Sequence, residues 1–282
     1  MKKTANYFRN YMVIFILIIY CLFFVNSCGL EEYYYLDPPV SNHTITMSSS
    51  SSYADTDYYY LCNPLDNDNN GYYSSPFEYE GTTYYYKIYN SLSAANSVYS
   101  KVSSYNNSST STTAGIEYLL SSSGANYKEL YVVDSNGKKV SPVTTTTDYT
   151  VYIRLASLGN ESETTGESDD PYQSVVALYV TGDITAYNSD ENYSAVNTYY
   201  PKRSINSNYG FDFSSDDSKS NPVPDEDDDD VYYSSSSDED EVWYVEVYAV
   251  SYGVDTEDYT YSYSTPTFLG IIKIDEDNYE SS

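Results

Sequence analysis

Apolar and polar residues alternate with a period of two through much of this chain, and the alternation predicts strands rather than helices. His43–Met47 and Asp57–Cys62 fit the pattern, the second stopped by Asn63-Pro64. Phe77–Tyr89 carries the strongest early signal, with Tyr84-Tyr85-Tyr86-Lys87-Ile88-Tyr89 at its end. The period then changes. Leu92, Ala95, Val98, Tyr99, Val102 and Tyr105 recur at spacings of three and four, which predicts a helix over 91–104. A second short helix is predicted over 114–120, with Gly124 as a stop signal. Strand character returns at Tyr127–Val133, Tyr149–Leu155 and Ser174–Val180, with Asn136-Gly137 as a hairpin-type turn. Residues 201–241 are expected to be poorly ordered outside Tyr209–Phe213. Their Asp225–Asp230 block of like charge is expected to stay solvated, within a disordered acidic loop over 214–241. Val242–Ser251 alternates again, and Trp243, Val245, Val247 and Ala249 are its expected core face. Phe268–Ile274 is the last predicted strand.

The expected fold is mainly β: an antiparallel β-sandwich with a short helical insertion at 91–122. Two units are expected, over 40–158 and 165–275, with one larger sandwich as the alternative.

The first residues read differently. Lys2, Lys3 and Arg9 precede an apolar run from Met12 to Val25, the order of a signal peptide's basic and hydrophobic regions. The run falls short of the about 20 apolar residues that span a bilayer. It ends in Val25-Asn26-Ser27-Cys28-Gly29, which resembles a relaxed bacterial lipobox. The resemblance implies cleavage after residue 27, acylation of Cys28 and a tether over 28–39 stiffened by Pro38-Pro39. A plain secretory cleavage or an uncleaved anchor is the alternative. Acylation by more than one chain would hold the protein stably on a lipid bilayer. The expected location is extracytoplasmic, at the outer membrane or cell surface rather than the inner membrane.

Charge narrows the partners. The formal net charge is −29, and loss of residues 1–27 with their three bases makes it −32. Residues 28–159 hold 13 acids and 6 bases, whereas 160–282 hold 29 acids and 4 bases. Nucleic acid is therefore excluded as a partner, because phosphate contacts need Lys and Arg. A basic protein or a glycan is the expected ligand class. The 40 tyrosines suit strands, where aromatics are favoured, and also suit a Tyr/Ser recognition surface.

Trp243-Tyr244-Val245-Glu246-Val247-Tyr248-Ala249-Val250-Ser251-Tyr252-Gly253 resembles the F strand of a fibronectin type III domain. Tyr263-Ser264-Thr265-Pro266 followed by Leu269-Gly270 resembles the start of its G strand. The early core Trp of that family has no counterpart in this chain. More broadly, the lipobox, the Gly81–Asn90 stretch, Phe211-Asp212-Phe213 and the Trp243 strand resemble spirochaete-type lipoproteins, a likeness that implies an anchor and no activity.

Catalytic chemistry is sparse. His43 is the sole histidine, and Cys62 is the one cysteine outside the signal peptide and the lipobox. Neither has a local nucleophile–base context. No disulfide framework, phosphate loop or zinc spacing is present. Asp66-Asn67-Asp68-Asn69-Asn70-Gly71 matches the first half of a calcium loop, so Asp66, Asp68 and Asn70 are candidate Ca²⁺ ligands. Phe77 stands where the bidentate acid of a full loop belongs, and an Asn/Asp turn is the competing reading. The chain is therefore expected to be a non-enzymatic envelope or surface binding protein without a cofactor. The alternatives are a glycan-active enzyme using paired carboxylates and a purely structural coat.

Overall fold

A computed structural model describes residues 12, 36–43, 59–62, 76–108, 113–133, 136, 138, 149–154, 175–180, 198–206, 208–211, 213, 224–236 and 242–275. Met1–Tyr35 and Leu36–Ser282 separate as two compact units. Every element below belongs to the second. Its first residues are already packed: Leu36 and Pro39 are buried, and the Thr267 hydroxyl donates to the Pro39 carbonyl. The expected tether over 28–39 therefore gives way to folded chain by residue 36.

Most of the described structure is antiparallel sheet. One sheet contains β1 (Val40–His43), β2 (Tyr59–Cys62), β6 (Tyr149–Arg154), β7 (Val175–Val180), β8 (Thr198–Ile205) and β5 (Tyr131–Val133) in that order, with β9 (Asn208–Phe211) on β8. The other runs from β10 (Val231–Tyr232) through β3 (Phe77–Tyr89) and β11 (Val242–Asp255) to β12 (Tyr261–Tyr263). In it β13 (Thr267–Asp275) also pairs with β11, and β4 (Lys128–Glu129) with β3. The β10–β3 pair is parallel.

β3 and β11 are the spine. They pair antiparallel from Tyr89↔Tyr244 to Phe77↔Asp255, so strands from both halves of the chain are hydrogen-bonded neighbours in one sheet. Both faces of this pair are covered. Tyr84, Tyr86 and Ile88 share one face with Val245, Val247 and Ala249, packed with Leu130, Ile153 of β6, Phe213 and Val231. Tyr85, Tyr89, Tyr244, Tyr248 and Val250 share the other, beneath two helices. This corrects the expectation of one core face for Val242–Ser251: Tyr244, Glu246 and Tyr248 are as buried as the valines between them.

The covering helices are α1 (Leu92–Asn106) and α2 (Ala114–Leu120). Ser91 caps α1 by accepting from the Ala94 amide, and the i, i+3, i+4 stripe presents Ala95 and Val102 to the sheet. α2 contributes Ile116 and Leu119. The Asn106 side chain donates to the Pro266 carbonyl and ties the end of α1 to the approach of β13.

Residues 224–236 differ most from expectation. They form a knitted strap beside β3, in which Asp225, Glu226 and Asp227 are exposed and Asp230 is fully buried. Ile88 donates its amide to the Asp230 carbonyl, and Asn90 donates to the Ser234 carbonyl and accepts from the Ser234 amide. The Asp225 amide donates to the Asp228 carboxylate, and the Asp227 amide to that of Asp225.

Candidate functional site

Two buried polar networks lie on opposite faces of the β3–β11 pair. The first surrounds Arg203, which β8 carries into the interior with no exposed surface. Its Nε donates to Asp230 Oδ2 at 2.9 Å. Its terminal Nη2 donates to Asp230 Oδ1 and to Asp228 Oδ2, each at 2.8 Å. The Tyr86 hydroxyl adds a bond to Asp230 Oδ2 at 2.7 Å and accepts from the Ser204 amide. The Tyr86 ring meets Phe213 edge-on at 5.0 Å. The two-pronged pairing satisfies the guanidinium fork. Burial works against the guanidinium charge, but the Asp230 bonds outweigh it and hold Arg203 above its ordinary pKa.

Next to this pair, Lys87 Nζ donates to the carbonyls of Asn126 and Asp229. Burial, with Lys128 nearby, depresses the Lys87 ammonium. Lys128 pairs with Asp229 at 2.8 Å. Partial burial pushes the Asp229 carboxyl up, but Lys128 and the Asn206 amide together hold it below the usual range.

The second network has no cation bonded to its carboxyl. Glu246 is fully buried under the helices. Tyr127 donates to its Oε2 and Tyr248 to its Oε1, both at 2.7 Å. The Tyr89 hydroxyl lies 2.9 Å from that of Tyr127 and extends the chain. Burial raises the Glu246 carboxyl to about 8 against the pull of its two tyrosine bonds. Burial and the adjacent carboxyl raise Tyr127 and Tyr248 as well. Lys87 stands opposite Glu246 in the ladder, but its ammonium bonds the Asn126 and Asp229 carbonyls and not the carboxyl, so burial dominates the response of these acids.

A third arrangement faces solvent. Where the helices stop, the sheet continues as the start of β3, the end of β11 and β12. Glu78 and Glu80 of β3 point outward and are exposed, while Phe77 and Tyr79 point inward. Val254 lies opposite Glu78, and Tyr252 and Val254 pair with Tyr263 and Tyr261. Tyr261 is 61% and Tyr259 76% exposed. The rings of Tyr261 and Tyr263 lie nearly parallel, with centroids 6.5 Å apart. Gly81, at φ 130°, occupies the register shift of β3 against β11. Gly253 lies so close to Phe77 that a Cβ would strike its ring and come within 2.6 Å of the Glu78 carbonyl. The β11–β12 turn is closed by the Asp255 amide on the Thr260 carbonyl and by the Tyr259 amide on the Asp255 carbonyl. Asp258 accepts from both the amide and the hydroxyl of Thr260, which hold its carboxyl below the ordinary range.

Cys28, Asp66, Asp68 and Asn70 all lie outside the described residues. β1 and β2 are neighbours with His43 opposite Tyr60 and Val40 opposite Cys62. Among the described residues, no three His, Cys, Asp or Glu side chains are grouped to hold a metal, and no helix is long and apolar enough to cross a membrane. The sequence reading missed Arg203, Asp230 and Glu246. Two signals pointed to them: Arg203 is a rare base in a strongly acidic half, and Glu246 interrupts an otherwise apolar and aromatic strand. No protein family, curated protein or solved structure matches this chain.

Proposed function

We propose that this is a lipid-anchored, extracytoplasmic binding protein, held on a membrane through acylated Cys28, and that its two sheets pack as one antiparallel β-sandwich with the helices on its outer side. The carrying observation is the presentation of Tyr259 and Tyr261, the most exposed large aromatics among the described residues, at the β12 end of a sheet whose centre is lined with buried tyrosines. Tyrosine on a fixed backbone offers wide amphipathic contact at low ordering cost. The sandwich reading is supported by Ile153 of β6, which joins the β3–β11 face in one core. The binding reading is favoured over an enzymatic one by the engagement of Glu246 and Asp230: every oxygen of both carboxyls accepts from an internal tyrosine or arginine.

The anchor is tested by fractionating cells that express the chain with Cys28→Ala. Loss of lipid labelling and release from membranes is the expected result; retention on the membrane would point to an uncleaved helix. Protease shaving of intact cells then asks which side the folded part occupies. Loss of the Trp243 region in intact cells is expected for a surface protein, and protection until the envelope is opened would replace that location with the periplasm.

A further inference from the structure

We propose that the outward face formed by the start of β3, the end of β11 and β12 docks an extended Lys- and Arg-rich segment of a partner protein, with its bases at alternate positions. The proposal rests on the binding reading above and adds the place and the chemistry. Residues 76–86 and 251–266, which build this end of the sheet, contain no Lys or Arg. They do contain Glu78, Glu80, Asp255, Glu257 and Asp258, of which all but Asp255 are exposed. The face is therefore uniformly anionic and paved with tyrosine.

That combination selects cations carried on long side chains. A guanidinium or ammonium over a tyrosine ring is attracted by the ring's quadrupole, and flanking carboxylates pair with its N–H groups. Spacing narrows the choice further. Alternate side chains of an extended strand are about 7 Å apart on one face. The Tyr261 and Tyr263 rings are 6.5 Å apart, so successive bases of an extended segment would meet successive rings. A second copy of this chain is a poor occupant, since its own net charge of −29 repels it. The face is also set before binding. Gly81 and Gly253 fix the strand ends, and the bonded β11–β12 turn fixes Tyr259 and Asp258, so little ordering cost remains.

The test uses the full chain in detergent micelles and two fluorescent peptides of identical composition. One alternates Arg with Ser, and the other carries the same arginines as a single block. Fluorescence anisotropy is expected to show tighter binding of the alternating peptide, with affinity falling as salt rises. Tyr261→Ala and the pair Glu78→Gln with Glu80→Gln should each weaken it roughly tenfold, the scale of one desolvated cation–π or charge-assisted contact. Tyr261→Phe should retain most of the affinity, because the ring face remains. All these side chains are exposed, and unchanged melting curves would establish that the variants fold. If Tyr261→Ala and the glutamine pair bind like the parent, this face is not the dock, although the chain still binds basic segments elsewhere. If neither peptide binds, the basic-partner chemistry is wrong while the anchored-binder reading stands on its own tests. If an amine-bearing polysaccharide binds and the peptides do not, the partner is a glycan and the proposal fails.

Discussion

Asp230 and Glu246 are two carboxylates with the same burial and different solutions to it. Each is fully enclosed, and each lies beside the β3–β11 pair, on opposite faces. Asp230 faces a guanidinium that grips both its oxygens, with a tyrosine as third partner. Glu246 is held by tyrosines alone. Asp230 lies against a cation, whereas Glu246 has only hydroxyl donors: its two tyrosine bonds favour the carboxylate, but burial outweighs them and keeps the proton on. Two donated hydroxyl bonds therefore do not offset the loss of water around a buried acid when no cation bonds it.

Removing the guanidinium should have the largest effect. Arg203→Met is expected to cost about 3–5 kcal/mol in urea unfolding, because it leaves Asp230 enclosed without its cation. Combining Arg203→Met with Asp230→Asn should recover a large part of the loss. A double variant as unstable as the single one would mean that the packing of Arg203, not the charge pair, carries the stability.

Glu246 should make a pH-dependent contribution on the order of a few kcal/mol. Its carboxyl is raised from 4.5 to about 8, so over that interval the folded state holds a proton that the unfolded state has lost. The stability it contributes is fully present below pH 4.5 and is lost as pH rises through about 8. Glu246→Gln keeps an acceptor and cannot ionise. Melting temperatures taken across the interval should fall less steeply for the variant than for the parent. Parallel slopes would show that the Glu246 carboxyl is already ionised.

Single hydroxyl deletions sharpen the contrast at about 1–2 kcal/mol each. Tyr86→Phe should cost the same at pH 5 and pH 8.5, since both Arg203 bonds to Asp230 remain. Tyr127→Phe should cost more at pH 8.5, where an ionised Glu246 depends on its two donors. Equal pH responses of the two variants would erase the distinction between the networks.

The same two acids mark how far the fold could be read from the chain. β3, α1, α2 and β11 were legible because each carries a clear period of its own. Glu246 was misread as outward because alternation identifies two faces but not what covers them, and the cover comes from helices more than a hundred residues earlier. The strap at 224–236 was misread for another reason. A run of aspartates looks solvated by composition, and only the register of β8 brings the buried Arg203 to Asp230. β8 itself was obscured by Pro201 and the bases beside it, which break the apolar rhythm expected of a strand. The acid–tyrosine face was half legible: its residue types were visible, but their convergence needs the pairing of strands far apart in sequence. The anchor was read entirely from local chemistry, and Cys28 lies outside the described residues.

The spine of the molecule has a consequence for when it can form. Partners in the β3–β11 ladder are 155 to 178 residues apart, from Tyr89↔Tyr244 to Phe77↔Asp255. Contacts at such separation require a large loop to close before they stabilise anything, which slows folding. As the chain is synthesised, β3 must wait with one edge unpaired until β11 arrives near the end. A chain cut short before residue 242 would lack β11, β12 and β13, and with them many of the side chains that line both cores, so the fold depends on whether the last forty or so residues were made.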